Sequence, residues 1–132
     1  MFNRIVIAIL LSLLTPALSI GAAHTRPAKV ADQSQVLRGY LVDNACALQT
    51  HKSPDWAAKH GKACLNMEEC RKSGYALLTP DQKLYKFDAS GNERARKLID
   101  ATDKKNDWKV VVKGRVHPEN GTVSVSSLVL QP

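Results

Sequence analysis

The chain has 132 residues, 44% of them hydrophobic and 23% charged, with a formal net charge of +7. That length suits one small domain with a single core. The basic excess favours anionic partners such as nucleic acid, acidic lipid or cell-wall polymers, or else simply solvates the surface of an exported protein.

Residues 1–23 read as a secretory signal peptide. Arg4 marks a short basic region, Ile5 to Leu14 is apolar apart from Ser12, and small residues run from Ala17 to Ala23. The apolar run is shorter than the roughly 20 residues that span a bilayer. Cleavage between Ser19 and Ala23 is therefore expected, giving an exported product, periplasmic or secreted, with no integral membrane segment. Cleavage after Ala23 leaves about 109 residues and, with Arg4 lost, a charge of +6. Residues 24–35 are polar, contain Pro27 and lack periodicity, so they read as a disordered leader to a domain spanning 36–132.

Val36 to Val42 (VLRGYLV) is rich in strand formers, and Gly39 within it marks a bulge or a tight bend. An insertion follows, at about residues 44–74, which carries all three cysteines and reads as largely helical. Ser53-Pro54-Asp55 is a helix start: an N-cap, a proline at the first helical position and an acid at the positive end of the dipole. Lys59 and His60 suit the last turn, with Gly61 at C′. Cys64 to Lys72 forms a second short helix closed by Gly74. Tyr75 to Leu78 and Lys83 to Phe87 are strands joined by a TPDQ turn. SGNE at 90–93 fits a capping box, and behind it Ala95, Leu98, Ile99 and Thr102 share one helical face. Trp108 to Val116 and Thr122 to Leu130 are strands joined by a PENG turn.

The predicted fold is mainly β: a five-stranded OB-like barrel with a cysteine-bearing helical insertion after strand 1 and a helix between strands 3 and 4. That helix can plug an open barrel end with Leu98 and Ile99. An open α+β sheet is the alternative.

Three thiols beside a histidine carry the chemistry. Cys46, His60, Cys64 and Cys70 form a candidate metal site, because three thiolates and one imidazole are a tetrahedral zinc set. In an unbroken helix Cys64 and Cys70 would point to different faces, so joint ligation requires a break between them. Met67, a thioether between them, adds copper(I) as a candidate ion, although it also reads as core filler. His51 is an alternative imidazole. A disulfide among the three cysteines, with one thiol left over, is a second reading; closing a loop of this kind stabilises by on the order of 3 kcal/mol. A cell-envelope thiol redox protein is a third, but no C-x-x-C motif supports it. A module whose cysteines serve only stability is a fourth. Asp43 either caps the turn into the insertion or orients His60 or a ligand. Glu68 and Glu69 read as an exposed helix face.

GYLVDNAC, H-x3-C-x5-C followed by SGYALLT, and KLYKFDASGNERARKLIDA together resemble a family of small exported bacterial proteins with an OB-like domain and no established activity. The resemblance runs from about Val36 to the end and implies a fold rather than a reaction. Cys64 and Cys70 stand farther apart than in many relatives, so no ligand geometry is carried over.

No phosphate-binding glycine loop, zinc-protease motif or serine-nucleophile motif is present. The expectation is a monomeric, non-enzymatic domain that binds a small ligand or a soft metal, zinc or copper, with an anionic surface as a further partner. Nucleic acid is disfavoured: Lys83 to Phe87 alternates lysine with aromatics, but aromatics are sparse and export removes the usual targets.

Overall fold

The computed structural model describes residues 33–49 and 53–132. The expected signal peptide, most of the expected leader, and His51 lie outside these residues. Five strands close into a barrel: β1 (Ser34–Asp43), β2 (Tyr75–Leu78), β3 (Leu84–Phe87), β4 (Lys109–His117) and β5 (Thr122–Leu130). Their order around it is β1-β2-β3-β5-β4, with only β3 and β5 parallel. This is the OB-like arrangement expected from element order, and closure rules out the open sheet. β1 starts before Val36: Ser34 and Gln35 pair with Arg115 and Gly114, so the end of the expected leader belongs to the barrel.

β1 closes the barrel by serving two partners. Residues Ser34 to Tyr40 pair with β4, and Tyr40 to Asp43 pair with β2. Pairing runs through Gly39 without a shift, so this glycine is not a bulge; the register shift falls between Lys113 and Gly114 of β4. A Cβ on Gly39 would collide with the backbone carbonyl of Leu78. A carbonyl fixed in a sheet cannot yield as a side chain can. Gly39→Ala should therefore destabilise the domain by about 1–3 kcal/mol, the usual cost of overpacking, read as a lowered urea midpoint.

Alternation along the strands makes two cores. Leu41, Tyr75, Leu77, Phe87, Val110, Val112, Val123 and Val125 point into the barrel. Helix α5 (Ala89–Asp100) adds Ala95 and Ile99, with Leu98 at the margin, as its periodicity predicts. Gly91 lets α5 rest directly on the barrel, since a Cβ there would stand 2.6 Å from Val125 Cγ2. The cap of α5 differs from the expected Ser90–Glu93 box. Asp88 is the N-cap, and its Oδ1 accepts from Gly91 N at 2.9 Å and from Val125 N at 3.1 Å. One carboxylate thus serves both the helix start and the neighbouring strand, while Ser90, already inside the helix, donates its hydroxyl to Val125 O at 3.4 Å. Glu93 turns outward to Lys97 instead.

The insertion folds as four short helices: α1 (Asn44–Gln49), α2 (Pro54–Lys59), α3 (Lys62–Leu65) and α4 (Glu68–Ser73). Ala47 of α1 and Ala57 of α2 pack with Val42, Ala76 and Leu78 on the outer face of β1 and β2, with Tyr40, Trp56 and Leu84 at the edge. Small residues on the helices allow this close seat. Both faces of β2 are covered as a result, and all four of its residues are buried.

Candidate metal centre

Asp43 is the last residue of β1 and sits on the same face as Leu41, at the end of the barrel interior. Its Oδ1 accepts a hydrogen bond from Cys46 N at 2.8 Å, which makes it the N-cap of α1. The first turn of α1 is stitched to the end of α4. Asn44 N donates to Gly74 O at 2.9 Å, Asn44 Nδ2 to Ser73 O at 2.9 Å and Ala45 N to Ser73 Oγ at 3.1 Å. Ser73 Oγ in turn donates to Cys70 O at 2.8 Å. Orphan donors at one helix start are thus met at another helix end, and that junction sets Cys46 beside Cys70. Gly74 makes the exit into β2 with φ +81, a conformation strained for any side chain.

His60 arrives from α2, whose start is as expected: Ser53 Oγ accepts from Trp56 N at 3.2 Å, and Pro54 is the first helical residue. His60 is the C-cap, its backbone N–H donating to Trp56 O at 3.0 Å. Its ring lies against Trp56, with centroids 4.7 Å apart. Gly61 does not take the left-handed C′ conformation; its φ is −100. Glycine is needed there for closeness, because a Cβ would stand 2.6 Å from Lys105 O. His60 Nε2 stands 2.6 Å from Asp43 Oδ2, and both residues are buried.

A carboxylate oxygen of Asp43 and the sulfurs of Cys46 and Cys70 all lie within 4.8 Å of one another. The two sulfurs are 4.0 Å apart. None of the three cysteines is in a disulfide, so the structure shows a reduced centre in place of the expected cross-link with a leftover thiol. Of the four residues expected to ligate together, Cys46 and Cys70 converge, and His60 joins them through Asp43. Cys64 stands outside the group. The break between α3 and α4 occurs where joint ligation would need it, but α3 turns Leu65 inward and leaves Cys64 half-buried. Tyr75 Oη fixes that orientation by donating to Leu65 O at 2.9 Å. Met67, expected as core filler, is 52% exposed. Glu68 and Glu69 lie on the exposed first turn of α4, as expected.

Burial works against charge on Asp43, but hydrogen bonds from His60, the Cys46 backbone N–H and the Cys70 thiol outweigh it. The carboxyl therefore titrates below its ordinary value and is ionised at neutral pH. The thiols move the other way. Burial, followed by contact with the Asp43 carboxylate, pushes Cys70 up to about 12. Burial and the same negative charge raise Cys46. The centre thus holds one fixed anion flanked by two protonated sulfurs, each able to become a thiolate if a cation replaces its proton.

No protein-family model, curated protein or solved structure matches the chain. Among the described residues, no helix is long and apolar enough to cross a membrane.

Proposed function

We propose that this protein is an exported, non-enzymatic OB-like domain that binds a soft transition-metal ion through Cys46, Cys70 and Asp43. The observation that carries this reading is the convergence of two sulfurs and a carboxylate oxygen within 4.8 Å at a buried point. In tetrahedral zinc sites, bonds of about 2.3 Å to sulfur place two thiolates about 3.8 Å apart. A separation of 4.0 Å needs only a small contraction to reach that. His60 supports the site from behind, fixing the carboxylate as outer partners of metal ligands do. A carboxylate in the set favours zinc over copper(I), which prefers sulfur and imidazole.

The test is thermal unfolding of the reduced protein with and without zinc. Ion at a thousandfold excess over its dissociation constant should stabilise the fold by about 4 kcal/mol. That gain should vanish in Cys46→Ser and in Cys70→Ser but persist in Cys64→Ser. An unchanged midpoint in the parent protein would overturn the reading.

Binding should also be linked to protons. Both thiols hold their protons well above neutral pH, so zinc must displace one from each. Acid released into a weakly buffered solution should match one proton per cysteine. Affinity should fall steeply as pH is lowered across the neutral range. Release of none would place the ion elsewhere.

A further inference from the structure

We propose that Cys46 and Cys70 are also a thiol–disulfide pair that exchanges with small-molecule disulfides of the glutathione type. The pair sits on two different helices whose ends are pinned together through Ser73, so the sulfurs are held 4.0 Å apart by the fold. Their access is unequal: Cys46 is half-buried, and Cys70 is 3% exposed. Cys46 is therefore the sulfur that an outside disulfide meets, and Cys70 the one that resolves the product.

The exchange balances without a further reactant. Once its proton has passed to solvent, which burial and the Asp43 charge make slow at neutral pH and faster in base, Cys46 Sγ attacks one sulfur of glutathione disulfide, whose S–S bond breaks. The first glutathione leaves as a thiolate and takes up the proton lost by Cys46. Cys70 Sγ then attacks Cys46 Sγ in the mixed disulfide. That bond breaks, and the second glutathione leaves with the proton of Cys70. Two electrons pass from the protein to the small disulfide, and the protein keeps a Cys46–Cys70 bond. The sulfurs must close to about 2.0 Å, a movement that side-chain rotation at α1 and α4 supplies. In this form neither sulfur is a thiolate, so oxidation empties the metal centre. That consequence rests on the metal reading; the exchange itself does not.

The experiment uses the full chain carrying Cys64→Ser, reduced, stripped of metal with a chelator, treated with oxidised glutathione and mapped by peptide mass spectrometry. The expected product is the intramolecular Cys46–Cys70 disulfide, lighter by two hydrogens. Adding Cys70→Ser should stall the reaction at a Cys46–glutathione adduct. Adding Cys46→Ser instead should leave Cys70 modified at least tenfold more slowly than Cys46 is, as access governs exchange. A lasting adduct on Cys46 beside an intact Cys70, first modification at Cys70, or no reaction of either thiol would overturn the proposal. The parent protein keeps both sulfurs, so its product decides the matter even where a double variant fails to fold. Cadmium absorbance of the same sample reads the gating: it should be lost on oxidation and restored by dithiothreitol. A reduced protein that never binds cadmium refutes the metal reading alone.

Discussion

Asp43→Ala should cost the reduced, metal-free domain about 2–4 kcal/mol, because removing the carboxylate leaves two groups packed beside it, the His60 ring nitrogen and the Cys46 N–H, without their hydrogen-bond partner. His60 Nε2 loses its partner at 2.6 Å, and Cys46 N loses its acceptor at 2.8 Å. The second loss alone, that of a helix N-cap, is worth about 1 kcal/mol. Native domains are stable by only about 5–15 kcal/mol, so this single change takes a large share of the total. Asp43→Asn should cost less at neutral pH, since an amide oxygen can still cap α1, but it should weaken zinc binding sharply. Acid separates the two variants further. The Asp43 carboxyl is held below its ordinary 3.8, so its contribution to stability is present above that pH and is lost as pH falls through the folded value. Asp43→Asn should lack this loss. Asp81, Glu93 and Asp100 are lowered as well, but they are exposed and water screens them. Urea unfolding at pH 7 and again near pH 3 measures both effects. An alanine variant as stable as the parent would show that Asp43 is not the hub described.

Much of the frame is legible in the sequence because its signals are local. Ser53-Pro54 starts α2, the 3.6-residue repeat of Ala95 and Ile99 selects the buried face of α5, and element order favours the barrel over the open sheet, a choice that strand pairing then decides. The misreadings are those in which a distant partner decides. Ser90 and Glu93 make a good capping box taken alone, but Asp88 also meets Val125 across the barrel. Gly61 looks like a helix stop, while its reason is the carbonyl of Lys105. The centre divides in the same way. That Cys46 and Cys70 meet depends on Ser73 bridging α1 and α4, which no spacing reports. Asp43 had a readable signal: in DNAC an N-cap aspartate stands three residues before a cysteine, so its carboxylate must approach that residue's N–H. The sequence signal could not choose between a capping and a ligand-orienting role, and the fold gives Asp43 both, one oxygen to Cys46 N and the other to His60 Nε2.

The capping carboxylate also determines how the apo protein should respond to base. Cys70 is 3% exposed, and burial with the nearby Asp43 charge holds its thiol up to about 12 against an ordinary 9.0. A raised folded value means that the stability linked to this thiol is complete below pH 9 and is lost as pH climbs towards 12. The gap corresponds to a loss on the order of 4 kcal/mol, at about 1.4 kcal/mol for each unit. Cys46, raised for the same two causes, adds to the loss. Tyr75 contributes over the upper part of the range, because burial raises it too. In Cys70→Ser the alkaline fall in urea midpoint should be shallower by a few kcal/mol between pH 9 and 12, since serine does not titrate there. The comparison is of slopes, so any cost of the substitution at neutral pH drops out. Zinc should reverse the trend. Once both sulfurs are bound as thiolates, base no longer competes with the fold, and the loaded protein should hold or gain stability over the same interval. A parent protein and a Cys70→Ser variant that weaken in parallel would mean that this sulfur meets water more freely than its packing against Asp43 and α1 allows.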